Sequence, residues 1–175
     1  SKLVNATYPI VGDVKSVVED MLQQTSHINP DNYEGWRDTI KNFDQLHPLT
    51  FHEDSERVKP QWVIQRVGEL LGDDANISTD VGQHQMWSAQ FYPFTRPRQW
   101  ITSGGLGTMG FGFPAAIGVK AACPDKISIN FTGDGSILMN CQELMTAVEK
   151  KIPVINIILN NSYLGMVRQW QTLFY

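Results

Sequence analysis

Two short apolar runs separated by an amphipathic stretch stand out in the last third of the chain. Residues 127–132 and 154–159 are rich in β-branched side chains and predict buried strands, and residues 138–150 carry apolar side chains at helical spacing. This order predicts a right-handed crossover between parallel strands. A helix of about 14 residues and a strand of about six residues cover similar distances. Both strands should therefore end at the same edge of one sheet.

The same periodicities predict further elements toward the N-terminus. Strands are expected at 75–79 and 99–102, and helices at 14–24, 31–43, 60–71 and 112–122. The apolar side chains of the helices at 31–43 and 60–71, among them Trp36, Phe43, Trp62 and Leu70, are expected to be buried. Strands that alternate with helices predict an α/β fold, here a doubly wound parallel sheet with helices on both faces.

Oxygen-bearing side chains follow both strands of the crossover. Asp134 comes directly after the first strand, and Asn160 and Asn161 follow the second. Ligands of open parallel sheets bind in the crevice at the carboxyl edge. Mg²⁺ takes one or two oxygen ligands from protein side chains and the rest from phosphate and water. Asp134 and Asn161 therefore predict a magnesium site.

The residues around Asp134 predict a phosphate site beside the metal. Gly133 and Gly135 let the backbone approach a ligand closely, and the N–H groups of Gly135 and Ser136 stand where a helix is expected to begin. The alternative is a turn in which Asp134 caps the helix and the two asparagines close a strand. That alternative suits either motif alone, but the spacing of the two motifs favours the ligand site.

A glycine-rich segment supports a hypothesis from another class of protein. Residues 105–110 satisfy G-x-G-x-x-G, follow a predicted strand and precede a predicted helix. This is the pattern of dinucleotide-binding folds, in which an acidic residue such as Asp134 would bind a ribose hydroxyl. The hypothesis of a nicotinamide or flavin nucleotide domain leaves Gly135, Ser136 and Asn161 without a role, so it ranks second. A catalytically silent binding or assembly module is the third.

Four separated motifs resemble those of the acetohydroxyacid synthases, also called acetolactate synthases, a family of thiamine diphosphate enzymes. They are residues 81–87 (VGQHQMW), 104–112 (GGLGTMGFG), 133–143 (GDGSILMNCQE) and 160–171 (NNSYLGMVRQWQ). The resemblance covers the whole chain and is densest from about Lys59 onward. The nearest alternatives are other thiamine diphosphate enzymes, such as relatives of pyruvate oxidase, glyoxylate carboligase or benzoylformate decarboxylase. The Gln169-Trp170 pair favours the acetohydroxyacid synthases over these.

The resemblance implies a role for individual residues of these motifs. Asp134, the Asn161 side chain and the Tyr163 carbonyl would bind Mg²⁺. The substrate pocket would include Met166, Val167 and Trp170. The residues implied to bind thiamine diphosphate are Gln83, His84, Gly107, Met109, Gly133, Gly135, Ser136, Leu164, Gly165 and Met166.

The resemblance also implies a reaction and its partners. Pyruvate would be decarboxylated and joined to a second pyruvate or to 2-oxobutyrate, in the biosynthesis of branched-chain amino acids. The full-length enzyme would carry FAD, form a homodimer or homotetramer, and bind a small regulatory subunit as a further partner. No catalytic residue is assigned within these 175 residues, because the glutamate that activates the cofactor is expected in a separate N-terminal domain.

The resemblance divides the chain into three parts. Residues 1–24 would be the tail of a central domain, residues 25–56 a connector, and residues 57–175 an incomplete thiamine diphosphate- and Mg-binding C-terminal domain. The sheet is expected to be truncated at its C-terminus. We therefore expect the 175-residue polypeptide alone to be inactive.

Composition removes several other classes of function. A net charge of −4 with no basic stripe argues against a nucleic-acid partner, and no apolar run is long enough to span a membrane. Cys123 and Cys141 lack metal or disulfide spacing and are expected to be reduced packing residues within helices. The expected compartment is the cytoplasm for a bacterial source, or a plastid or mitochondrion for a eukaryotic one.

Overall fold

A computed structural model describes residues 3–54 and 56–175. The chain divides into two compact units, Ser1–Pro48 and Leu49–Tyr175, and each is described by itself. The predicted domain limits after residues 24 and 56 differ from this division and stay predictions. Within the described residues, every helix is too short or too polar to cross a bilayer.

The first unit consists of two helices joined by short turns. Helix α1 spans Val14–Gln23 and is capped by Asp13, whose side chain accepts a hydrogen bond from the Ser16 N–H at 3.2 Å. Two 3₁₀ turns, Gln24–His27 and Pro30–Tyr33, lead to helix α2 at Glu34–Leu46. Trp36 and Phe43 of α2 are exposed, so the expectation that they are buried is wrong for the described chain.

The second unit alternates helices with four strands. The bounds of several elements agree with the prediction from periodicity, including Pro60–Leu71, Ala75–Thr79 and Gly112–Ala122. In chain order, the helices and strands are α3 (Pro60–Leu71), β1 (Ala75–Thr79), α4 (Gln83–Phe91), β2 (Trp100–Thr102), α5 (Gly112–Ala122), β3 (Ile127–Gly133), α6 (Asp134–Ile137), α7 (Glu143–Glu149), β4 (Ile155–Leu159) and α8 (Gly165–Phe174).

The four strands form one parallel sheet in the order β2-β1-β3-β4. Ile77 of β1 lies beside Ile129 of β3, which lies beside Ile155 of β4. The chain runs outward from β1 to β2 and then crosses to β3 on the other side of β1. The strand order therefore reverses between β1 and β3, and this switch point is where an open α/β sheet binds ligands. The predicted α/β class is confirmed.

The two faces of the sheet differ in polarity. Ile77, Ile129 and Phe131 face one side and form the apolar core with Ile64 of α3. The opposite face carries buried polar side chains: Ser128 donates to the Ala116 carbonyl of α5 at 2.8 Å, and the amide of Asn130, which is also buried, donates to Asn156 at 2.9 Å. The Ser128 hydroxyl and the Asn130 amide nitrogen are paired, which lowers the cost of burying them, whereas the Asn130 amide oxygen has no hydrogen-bond partner among the described residues. Helices thus cover both faces, as a doubly wound sheet requires.

The predicted helix at 138–150 is confirmed for residues 143–149, which form α7, and is wrong for residues 138–142, which form a turn. The segment after β3 forms the short helix α6, a turn at 138–142, and the separate helix α7. Within this turn, the Asn140 side chain donates to the Gly110 carbonyl at 2.7 Å and accepts from the Gln142 side chain at 2.9 Å. The first of these contacts ties the turn to a loop 30 positions earlier in the chain.

Two other expectations about packing are corrected. In α3, Ile64 and Gly68 are buried one helical turn apart, whereas Trp62 and Leu70, expected inward, are exposed. The inward stripe is therefore rotated relative to the predicted one. Cys123 and Cys141 are both exposed and free, in turns that follow α5 and α6, and so are not core residues within helices.

Candidate active site

A cavity of about 220 Å³ opens at the carboxyl ends of β1, β3 and β4. The loops that follow these strands supply most of its wall. Every residue predicted for the cofactor, the metal or the substrate lines it, with the exception of Trp170. These residues are Gln83, His84, Gly107, Met109, Gly133, Asp134, Gly135, Ser136, Asn161, Tyr163, Leu164, Gly165, Met166 and Val167.

Trp170 lies outside this wall. Its side chain is 59% exposed and packs on Phe174 of the same helix, with ring centroids 4.8 Å apart. Its assignment to the substrate pocket stays a prediction. The cavity is also lined by residues for which no role was predicted, namely Val81, Gly82, Trp87 and Leu159.

Asp134 is the first residue after β3 and starts helix α6. Among the described residues, its carboxylate makes neither a hydrogen bond nor an ion pair, so its oxygens can accept a ligand. Helix α6 has only four residues, so its dipole is small. The backbone N–H groups of its first turn nevertheless remain donors without intrahelical partners.

The loop after β4 is held by two successive side-chain turns. The Asn160 side chain accepts from the Ser162 N–H at 2.9 Å, and the Asn161 side chain accepts from the Tyr163 N–H at 3.0 Å. The Arg168 guanidinium lies over the Tyr163 ring, 3.8 Å from its centroid. This cation–π contact joins the loop to the first turns of α8.

Gln83 connects this loop to the start of α4. Its amide oxygen accepts from the Asn161 side chain at 3.3 Å, and its amide nitrogen donates to Gln169 at 3.1 Å. These residues are 78 and 86 positions from Gln83 along the chain. The three side chains therefore hold one wall of the cavity together across the sheet edge.

His84 is buried against the loop that carries Asp134. Burial lowers the pKa of its imidazole, and the nearby carboxylates of Asp80 and Asp134 oppose that effect. A β-carbon on Gly133 would lie 3.1 Å from the ring, so any other residue there would press on the buried imidazole. Nε2 of His84 is buried and finds no hydrogen-bond partner in the described chain. Because a buried polar atom without a partner is costly, this atom marks a place for a polar ligand group.

The ligands available for a metal are few. No group of three or more His, Cys, Asp or Glu side chains that could hold a metal occurs in residues 3–54 and 56–175. Asp134 and the Asn161 amide line the same cavity, and together they supply one charged and one neutral oxygen ligand. Such a sparse set fits Mg²⁺ that takes its other ligands from phosphate and water.

The glycine-rich segment does not occupy the place that a dinucleotide site requires. In a dinucleotide-binding fold this loop follows the strand beside the switch point. Here residues 105–110 follow β2, which is at the edge of the sheet, whereas the switch point lies between β1 and β3. The topology therefore disfavours the nucleotide hypothesis.

Residues 80–175 match the model of the thiamine pyrophosphate enzyme family, for its C-terminal TPP binding domain. The chain belongs to the thiamine pyrophosphate enzymes. The matched region contains the whole cavity wall, and thiamine pyrophosphate is the thiamine diphosphate expected from the motifs. Membership in this family removes the dinucleotide-binding oxidoreductase from consideration.

Proteins similar to this chain occur in bacteria and plants. The chain is 50% identical to the acetolactate synthase isozyme 3 large subunit of Escherichia coli. The aligned region covers all of the chain and 31% of the length of that protein. It is 49% identical to the acetolactate synthase large subunit of Buchnera aphidicola from Acyrthosiphon pisum, again over all of the chain and 31% of the relative. It is 46% identical to the chloroplastic acetolactate synthase of Arabidopsis thaliana, over 95% of the chain and 25% of the relative. The chain therefore spans less than a third of the length of these relatives.

Proposed function

We propose that this chain is the thiamine diphosphate-binding part of an acetolactate synthase large subunit. The observation that carries the proposal is the convergence of residues from four separated motifs on one cavity at the switch point of the sheet. Identity of 46–50% to acetolactate synthases along nearly the whole chain supports the specific activity.

The proposed metal is Mg²⁺, held by Asp134, the Asn161 side chain and the Tyr163 carbonyl. The Asp134 carboxylate supplies the negative charge. The Gln83 amide oxygen accepts a hydrogen bond from the Asn161 amide nitrogen and so holds that side chain in place. The two side-chain turns at Asn160 and Asn161 keep the loop in one conformation before the ion binds.

The diphosphate is proposed to bind beside this metal. The N–H groups of Gly135 and Ser136 face no intrahelical partner and can donate to phosphate oxygens. Gln83 and His84 line the same part of the wall, and the unpaired Nε2 of His84 provides a further polar contact. The glycine at 133 leaves room for the imidazole.

The rest of the cofactor is proposed to lie against the apolar wall formed by Met109, Leu164, Met166 and Val167, with the Gly107 and Met109 backbones at the pyrimidine. When bound, thiamine diphosphate supplies the electron sink for loss of CO₂ from a 2-keto acid. Leu164 and Val167 are about half exposed here, and with the cofactor bound against them the apolar side chains would exclude water and strengthen the electrostatic interactions within the site.

The proposed substrates are two molecules of pyruvate, or pyruvate and 2-oxobutyrate, and the product is acetolactate or acetohydroxybutyrate. The pocket wall around the acceptor keto acid is proposed to consist of Met166, Val167 and Trp170. The activating glutamate, FAD, a dimeric or tetrameric assembly and a regulatory subunit are proposed for the full-length enzyme. The proposed compartment is the bacterial cytoplasm or, in a plant, the plastid.

Two measurements on the full-length protein test this function. Calorimetric titration should show Mg²⁺-dependent binding of thiamine diphosphate and none of NAD, and incubation with pyruvate, both cofactors and FAD should yield acetolactate. Free acetaldehyde or an acetyl product in place of acetolactate would assign the chain to another thiamine diphosphate enzyme. Absence of thiamine diphosphate binding would refute the cofactor site itself.

A further inference from the structure

Asp80 is a fully buried carboxylate at the centre of the sheet edge. It follows β1 directly, and its own N–H donates to the Phe131 carbonyl of β3 at 3.0 Å. Its backbone is therefore held by the neighbouring strand. The sequence motifs assign no role to Asp80. Like Asp134, however, Asp80 is an acidic residue directly after a strand.

The carboxylate of Asp80 binds the glycine-rich loop. One oxygen accepts from the Gly110 N–H at 2.6 Å and from the Val81 N–H at 3.1 Å, and the other accepts from the Thr132 hydroxyl at 3.4 Å. A buried charge is tolerated when such donors surround it. The shortest of these contacts joins residues 30 positions apart, so it fixes the loop to the end of β1.

Gly110 is also held by its carbonyl group. The Asn140 side chain donates to that carbonyl at 2.7 Å. Gly110 has φ of +88°, and a β-carbon there would lie 2.8 Å from the Asn140 amide and 3.0 Å from Met139 Cβ. Only glycine suits this conformation and this contact. We call the arrangement of Asp80, Gly110 and Asn140 the Gly110 clamp.

The Gly110 clamp stands next to the residues that line the cavity. Met109 precedes Gly110 in the chain, and Gly107 is three positions before it; both line the cavity. With both polar groups of the Gly110 peptide backbone bound, the adjoining Met109 backbone has little freedom to move. Asp80 itself is absent from the cavity wall, so it acts on a ligand through this loop.

We infer that Asp80 is a positioning residue for thiamine diphosphate, which holds Gly107 and Met109 in place through the Gly110 N–H. This inference rests on the proposed cofactor site and adds a residue that touches neither the metal nor the cofactor. An acceptor oxygen at position 80 is what the role requires. The amide oxygen of asparagine can supply it, and the methyl group of alanine cannot.

The test compares Asp80→Ala, Asp80→Asn and Asn140→Ala in the full-length protein with a control variant, Ser128→Ala. Ser128 is a buried β3 hydroxyl that bonds to α5 and is absent from the cavity wall, so its loss lowers stability without reaching the loop. Thiamine diphosphate affinity is measured by calorimetry at saturating Mg²⁺. Hydrogen exchange of residues 103–111 without cofactor and the unfolding temperature are measured in parallel.

We expect Asp80→Ala to raise the Kd for thiamine diphosphate about tenfold or more, as for loss of a hydrogen bond to a charged group. Exchange in residues 103–111 should quicken. Asp80→Asn should restore affinity to within about threefold of wild type, and Asn140→Ala should raise the Kd by a smaller factor. Ser128→Ala should bind the cofactor like wild type despite a lower unfolding temperature.

Wild-type affinity in Asp80→Ala, or an equal loss in Ser128→Ala, would overturn the inference. If Asp80→Ala does not fold, Asn140→Ala decides the matter, and unchanged affinity and exchange in that variant would also overturn it. Failure of the wild-type protein to bind thiamine diphosphate would instead refute the proposed cofactor site, so the two failures are distinguishable.

Discussion

The Gln83 side chain occupies the space in which a β-carbon on Gly165 would lie. The Cδ atom of Gln83 is 2.7 Å from that position, and the Asn161 amide nitrogen is 2.9 Å from it. Gly165 is the first residue of α8, so the absence of a side chain there lets α8 approach the start of α4. The cavity wall formed by Gln83, Asn161 and Gln169 depends on this close approach.

Gly165→Ala should displace the Gln83 amide and break its contacts with Asn161 and Gln169. Overpacking of this kind costs about 1–3 kcal/mol, and thiamine diphosphate affinity should fall with it. The unfolding temperature and a calorimetric titration measure both effects. Gly118→Ala is a matched control because a β-carbon there meets nothing within 4 Å, and it should stabilise the protein by about 0.4–1 kcal/mol.

A double variant separates the steric effect from a general helix effect. Gln83→Ala removes the nearest of the clashing atoms and leaves the Asn161 amide nitrogen at 2.9 Å, so Gly165→Ala should cost less in that background. Equal costs of Gly165→Ala in the two backgrounds would contradict the contact between Gln83 and Gly165 as the cause.

Asp134→Ala should abolish Mg²⁺-dependent binding of thiamine diphosphate, because it removes the only carboxylate of the proposed metal site. Calorimetry with and without Mg²⁺ measures this, and circular dichroism checks that the variant folds. Asp125→Ala removes an exposed carboxylate outside the cavity wall and should leave binding unchanged. Equal Mg²⁺-dependent affinity in Asp134→Ala and wild type would remove Asp134 from the metal site.

Trp170→Leu should alter the preference between 2-oxobutyrate and pyruvate as acceptor in the full-length enzyme. A methylene group in an apolar pocket is worth about 1–3 kcal/mol, so a change in wall shape alters the product ratio. The measurement is a competition assay with both acceptors. Leu173→Ala, an exposed change on the same helix, serves as the control. An unchanged ratio would place Trp170 outside the acceptor pocket, in agreement with its exposure here.

Tyr92→Phe should remove an alkaline dependence of stability. Burial is the main cause that raises the pKa of the Tyr92 phenol, with Arg96 opposing and Asp73 adding to it, and the hydroxyl donates to the Gly72 carbonyl at 3.1 Å. A group with a raised folded-state pKa contributes stability that is present below its unfolded value, about pH 10, and is lost as pH rises through the folded value.

Below pH 9 the Tyr92→Phe variant should therefore be about 0.5–1.5 kcal/mol less stable than wild type, and the difference should narrow above about pH 10. Thermal unfolding at a series of pH values measures the difference. Tyr8→Phe, at an exposed tyrosine, should match wild type throughout. A constant gap for Tyr92→Phe across the whole range would rule out the phenol as the titrating group.

The sequence by itself was enough for the four strands, for the helices α1, α2, α3 and α5, and for the chemistry at the sheet edge, whereas α4 was not predicted. The bounds of α3, β1 and α5 follow from local periodicity and from residues such as Pro60, because burial of one face imposes a repeat that neighbouring residues show. Asp134 and Asn161 could be expected to share a cavity because a parallel crossover brings successive strand ends to one edge.

Only the tertiary structure decided which distant side chains meet. Several contacts join segments 30 or more positions apart, namely those of Asp80 with Gly110, Gln83 with Gln169, and Asn140 with Gly110. No local periodicity encodes such contacts, since they depend on how far each loop extends over the edge. The same reason explains why Trp170 lies outside the cavity, whereas Val167 on the same helix lines it.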